Sequence, residues 1–184
     1  MHLHTHSPKR LIGAAVVACA AALIPVASLA ATASPVAPVT AAGLPGCATS
    51  GLVVWLDTSG NGHAGGIDYT LNLTNLSGSA CTLHGYPGVS AVNLSGQQLG
   101  SAASRTGPRG HVVRLGRGAT ATVQLGIADV FNFGNPRQPC HPVTAAGLRV
   151  YPPNRFAAKV IPFPFAACSR TGPVYLSTAA VHKG

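Results

Sequence analysis

The 184-residue chain contains no glutamate, and its only side-chain carboxylates are Asp57, Asp68 and Asp129. So few acids leave little for paired-carboxylate hydrolysis, for an oxygen cage around a hard cation, or for phosphoryl transfer. Aromatic residues are scarce at 5%, which removes most of the stacking surface on which single-stranded nucleic acid is held. No C-x-x-C pair occurs, and no window of a dozen residues carries a 3.6-residue apolar period, so neither a zinc knuckle nor an amphipathic helix is indicated.

What remains is apolar and basic. Hydrophobic residues make up 47% of the chain and charged ones 8%, too apolar for a disordered polymer despite 22 glycines and 15 prolines. The length accommodates one core. Twelve Lys and Arg against three acids give a formal charge of +9, which favours anionic partners.

The first residues read as an export signal. Lys9 and Arg10 precede an uncharged stretch that starts at Leu11, is broken by Pro25 and ends in small residues, with cleavage expected after Ala30 or Ala33 and Ala30 preferred. A retained membrane anchor is the competing reading, disfavoured by the alanine content and by Pro25. A second competitor is Val16-Val17-Ala18-Cys19, which resembles a lipobox and would place an acyl anchor on Cys19. The apolar run continues past that cysteine to Ile24, which favours simple processing. The expected organisation is a signal peptide at 1–30, an Ala/Pro-rich disordered spacer at 31–46, and one folded domain at 47–184.

Within the domain the apolar period is near two. Ile67, Tyr69, Leu71 and Leu73 alternate with polar residues, as do Ala119, Ala121, Val123, Leu125 and Ile127, and these are the clearest strands. Further strands are expected at 52–56, 80–83, 89–94, 112–115, 148–151, 157–161 and 174–178. Gly and Pro punctuate the gaps, and Pro152-Pro153 must end the strand before it. About eight or nine short strands without crossover helices predict an all-β, antiparallel, immunoglobulin-like β-sandwich, with a small β-barrel as the alternative. Trp55, the single tryptophan, is expected in the core.

Loss of Cys19 with the signal leaves Cys47, Cys81, Cys140 and Cys168. An even number in an exported chain predicts disulfides, and three pairings are possible. Cys47–Cys81 and Cys140–Cys168 are expected, because each closes a local segment and ties a loop or terminus to a strand. A metal site is not expected, since the spacings are wide and Cys140-His141 are adjacent.

Three segments are recognisable together: Tyr69-Thr70-Leu71-Asn72-Leu73-Thr74-Asn75-Leu76-Ser77-Gly78, Cys81-Thr82-Leu83-His84-Gly85-Tyr86-Pro87-Gly88-Val89-Ser90, and Gly147-Leu148-Arg149-Val150-Tyr151-Pro152-Pro153-Asn154. With Cys140-His141-Pro142 and Ala167-Cys168, they make the chain resemble a secreted actinobacterial family called domain of unknown function 4232. The resemblance covers about residues 47–178 and implies an exported, disulfide-bonded β domain of the cell envelope or medium. It brings no catalytic residue and no cofactor. Arg117 stands before Gly118 where the family usually has proline, so a looser, more basic turn is expected there.

Catalytic ingredients exist without a motif. Ser90 sits in Gly88-Val89-Ser90-Ala91-Val92, which lacks the last glycine of a nucleophile elbow, and His63, His84, His111 and His141 read as exposed loop residues. Asp57, Asp68 and Asp129 are dispersed. Arg105, Arg109, Arg114 and Arg117, with no acid among them, are the candidate polyanion-binding residues. The expected function is therefore an exported, non-catalytic envelope or extracellular module contacting an anionic wall polymer or another protein. The alternatives are a secreted hydrolase and a structural wall protein. Nucleic acid is not an expected partner, and the membrane is one only during export unless Cys19 is lipidated.

Overall fold

The computed structural model describes residues 43–134, 140–169 and 172–184. The expected signal peptide, its cleavage sites, Cys19 and most of the expected spacer lie outside them. At the end of the expected spacer, Thr82 N donates to Pro45 O at 2.9 Å, and Gly46 bridges to Thr82. Backbone pairing along a neighbouring strand fixes this stretch where side-chain periodicity gave no sign of it.

Among the described residues twelve strands form two facing sheets and a small two-stranded ladder, and these sheets do not close into a barrel. The fold is thus the expected β-sandwich. The first sheet holds β1 (Leu52–His63), β2 (Gly66–Asn75), β8 (Thr120–Ala128), β11 (Leu176–Thr178) and β6 (Ser104–Arg105), with β12 (His182–Lys183) also on β8. The second runs β10 (Lys159–Cys168), β9 (Pro142–Tyr151), β4 (Gly88–Val92) and β5 (Gln98–Leu99). The third is β3 (Cys81–Leu83) with β7 (Val113–Leu115). Pairing is antiparallel except between β6 and β11.

Alternation builds the core. Leu71, Leu73, Val123 and Leu125 from the first sheet meet Val89, Ala91, Leu148 and Val150 from the second, all essentially inaccessible to solvent. At about 25 cal/mol per Å² of apolar surface, burial of each large aliphatic chain contributes about 1.5–3 kcal/mol. Ile67 keeps the phase of the apolar face, paired with buried Ile127 on β8, but is 40% exposed at the end of that face, where its β1 partner Gly62 has no side chain to cover it.

Trp55 is a correction. The expectation placed it in the core, yet it is 44% exposed. Leu52, Val54 and Leu56 take the inward phase of β1, so period two turns Trp55 outward, where Nε1 donates to Thr74 Oγ1 at 3.1 Å. Thr74 Oγ1 lies 2.9 Å from Thr120 Oγ1, its partner on the adjacent strand β8. Leu-Val-Val-Trp-Leu is unbroken in hydrophobicity, so its phase is not legible from sequence.

Several boundaries also move. The glycine-rich stretch 59–66, which lies between the strands expected at 52–56 and from Ile67, is the end of the β1–β2 hairpin, which turns at Gly65 with φ +89° and carries a register shift between Asp57 and Asn61. β10 runs on through Pro162 and Pro164, whereas the expected strand stopped at 161. The ladder tolerates these prolines because β10 is an edge strand, and its register shifts between Pro162 and Phe165. β5, β6 and β12 are two residues each, too short to display a period. The turn at Arg117 is closed, with Ala119 N donating to Gly116 O at 3.1 Å and Gly118 at φ +77°.

Both expected disulfides form. Cys47–Cys81 ties the entry segment to β3, and Cys140–Cys168 joins the start of β9 to the end of β10. Loops of 34 and 28 residues correspond to about 3.5–4 kcal/mol each in the chain-entropy model. That is a large share of the usual stability of one domain.

Candidate functional site

The register of β4 on β9 places Gly88 opposite Tyr151, so the β3–β4 and β9–β10 loops emerge at the same end of the sandwich. The β6–β7 loop joins them, because β6 lies beside β11 and Thr178 Oγ1 on β11 donates to Pro87 O at 3.4 Å. Val181 N adds a bond to Gly85 O at 2.9 Å. These three loops enclose a cleft of about 360 Å³ whose lining includes His84, Tyr86, Arg105, Arg109, Arg155 and Phe156.

Each loop is held by identifiable bonds. Tyr86 donates its hydroxyl to Gly107 O at 2.6 Å, linking two of the loops, and Arg105 Cζ stands 5.9 Å from the Tyr86 ring centroid. On the third loop, Asn154 Nδ2 donates to His84 O at 3.1 Å and Arg155 Nε to Cys47 O at 2.7 Å. A side chain at Gly46 would meet the Arg155 guanidinium. Thr49 Oγ1 donates to Ala157 O at 3.2 Å, so the entry segment grips the β9–β10 loop on both sides of Phe156.

The charge is of one sign. Three guanidinium groups line the cleft, and no aspartate does. Asp57 and Asp68 lie on the β1–β2 hairpin, and Asp129 follows β8 beside it, with Asp129 N donating to Gly65 O. Neither Arg105 nor Arg109 has a carboxylate partner among the described residues. Guanidinium groups with open donors and no internal counter-charge are suited to oxyanions, which they bind through paired N–H groups.

Of the four sequence-predicted arginines, the fold therefore brings Arg105 and Arg109 together. Arg114 is exposed on β7 opposite Thr82, and Arg117 occupies the turn before β8, both outside the cleft lining. Arg155, Phe156, Tyr86 and Asn154 were not singled out as site residues. Their signal was available in the position of Tyr86-Pro87 and Pro152-Pro153-Asn154-Arg155-Phe156 at strand ends, but the register needed to join those ends is not.

Hydrolytic ingredients meet elsewhere. His63, Asp68 and Ser177 line a shallow depression of about 140 Å³. His63 Nε2 is 3.7 Å from Asp68 Oδ1, and its Nδ1 is 3.1 Å from Ala64 O. Both ring nitrogens thus address groups other than a serine, whereas a nucleophile relay needs one nitrogen on the hydroxyl and the other on the acid. Asp68 Oδ2 also accepts from Gln124 Nε2 at 2.9 Å. Ser90 is buried on β4 and is not part of the lining of this depression. A larger cleft of about 380 Å³ lies at the opposite end of the β9–β10 ladder, lined by Tyr69, Ile127 and Phe165. Its one carboxylate, Asp129, accepts from Phe131 N at 3.0 Å and so caps the short 3-10 turn Val130–Asn132.

No helix among the described residues is long and apolar enough to cross a membrane. Comparison with curated proteins and with solved structures yields no match. The family model described as Domain of unknown function (DUF4232) matches residues 47–182, which span both disulfides and every loop of the basic cleft. The chain belongs to the DUF4232 family.

Proposed function

We propose that the protein is an exported, non-catalytic binding module that holds an anionic polymer of the cell envelope in the Arg105–Arg109–Arg155 cleft. The observation that carries this reading is the convergence of three guanidinium groups from two loops and a strand end on one opening with no acid in its lining. Export is supported by Lys9 and Arg10 before an apolar stretch and by two disulfides, which persist in oxidising compartments. The absence of catalysis is supported by the engagement of both His63 nitrogens away from Ser177.

The test is retention of the secreted protein on purified cell walls across a salt series. Screening shortens from about 30 Å at 0.01 M to about 8 Å at 0.15 M, so wild-type retention should fall with salt. The Arg105→Ser/Arg109→Ser variant should elute at clearly lower salt than wild type, and Arg114→Ser/Arg117→Ser close to it. Equal retention of all three forms would leave a structural wall protein as the better account. Substrate turnover abolished by Ser177→Ala would establish the hydrolase reading instead.

A further inference from the structure

We infer that the anionic ligand is built of sugar rings, and that Phe156 at the cleft rim is the platform on which one ring stacks while its phosphate or carboxylate group meets Arg105 and Arg109. This rests on the anion-binding reading above and names its ligand class.

Phe156 is fully exposed at 100% of its surface, the greatest exposure of any large apolar residue described. A phenyl ring in water forgoes the stabilisation of burial, and an unrestrained loop would fold it back against the domain. Here the loop is restrained on both sides. Asn154 is tied to His84 O, Arg155 to Cys47 O and Ala157 O to Thr49, so the loop that carries the ring is held in place on both sides of it. An aromatic face held open beside open guanidinium groups offers two kinds of contact at once. The ring takes the C–H face of a pyranose, and the arginines take its anionic substituent.

The surroundings fit a sugar better than a peptide. Asn154, Tyr151 and His84 belong to the same lining and carry further polar groups suited to ring hydroxyls. An extended acidic peptide would instead need a free strand edge, and the edge strand at this site, β6, has only two residues. Its backbone is too short to pair with an added strand.

Three defined polymers test the inference: phosphorylated dextran, which carries ring and anion together, linear polyphosphate, which has the anion alone, and polyglutamate. Phe156→Ala should weaken binding of phosphorylated dextran by about fivefold and leave polyphosphate within about twofold, with Phe156→Trp restoring the loss. Arg105→Ser/Arg109→Ser should weaken both by about tenfold or more. If Phe156→Ala leaves phosphorylated dextran unaffected while binding still depends on the arginines, the glycan inference fails and the cationic cleft stands. A loss on polyglutamate equal to that on dextran overturns it in favour of a peptide. If no probe binds in a way that depends on Arg105 and Arg109, the anion-binding reading falls as well. Phe156 makes no core contact, so the variants retain the fold and the comparison stays readable.

Discussion

Arg155 donates its Nε to the backbone carbonyl of Cys47 at 2.7 Å, across 108 positions of chain, so one cation of the cleft is placed by a residue whose own side chain is spent in a disulfide. Cys47 N in turn donates to Thr82 O at 2.9 Å, which fixes that carbonyl relative to β3.

Removal of this bridge should therefore affect binding beyond its effect on stability. The Cys47→Ser/Cys81→Ser and Cys140→Ser/Cys168→Ser variants should each lose about 3–4 kcal/mol by urea unfolding. At a temperature where both remain folded by circular dichroism, only the first should bind phosphorylated dextran more weakly. Matching losses of affinity in both would mean that the bridge merely tightens the whole domain.

Asn75 is a buried polar side chain with five hydrogen bonds among the described residues. Its Nδ2 donates to Ser79 O at 2.9 Å and Leu115 O at 3.1 Å, and its Oδ1 accepts from Ser77 N at 3.0 Å and Ser77 Oγ at 2.6 Å. One amide thus locks the β2–β3 loop to the end of β7. Asn75→Ala should cost about 3 kcal/mol, since it strands a buried carbonyl at about 1–3 kcal/mol and removes several bonds besides. Asn75→Asp should cost more, because a carboxylate would face carbonyl oxygens. Chemical denaturation checks the order.

Tyr175 gives the protein a predictable alkaline limit. Burial pushes its phenol up to about 12 from the ordinary 10, an effect that a hydrogen bond with the Cys168 backbone partly offsets. The hydroxyl also donates to Leu99 O at 2.8 Å. The folded state holds this proton more tightly than the unfolded chain does, so the associated stability is complete below pH 10 and declines as pH rises from 10 through 12. Tyr175→Phe should remove the tyrosinate absorbance that develops near pH 12 and flatten the pH dependence of melting over that window. An unchanged absorbance titration would contradict the assignment.

Trp55 should behave as a surface residue. Its emission should be red-shifted in the native state and quenched by added iodide, and Trp55→Phe should cost about 1 kcal/mol or less, against about 3–5 kcal/mol for truncation of a core aromatic. Blue-shifted emission insensitive to iodide would place the indole in the interior instead.

Elements with a sufficient local signal are legible in the amino-acid sequence. β8 alternates strictly, so its buried set Ala121, Val123, Leu125 and Ile127 was legible, and the cysteine positions left only a choice among pairings. Trp55 was misplaced because four apolar neighbours erase the period that sets facing. The extent of β10 was missed because Pro162 and Pro164 argue against a central strand, and nothing local says that this strand is an edge. The cleft was half legible: Arg105 and Arg109 are close in sequence, whereas Arg155 and Phe156 join them only through the β4–β9 register. The family match adds the limits of the domain but no chemistry for it.

The outer margins of the sheets bear on how crowded copies of the molecule would behave. β10 carries two prolines, β5 and β6 end after two residues each, and β1 is interrupted by its register shift. None of these borders presents an uninterrupted paired run of more than the six residues Leu52–Asp57, so the template for strand addition is short. Dense accumulation along a polymer is thereby compatible with each domain remaining separate, and fibril seeding is disfavoured by the backbone itself.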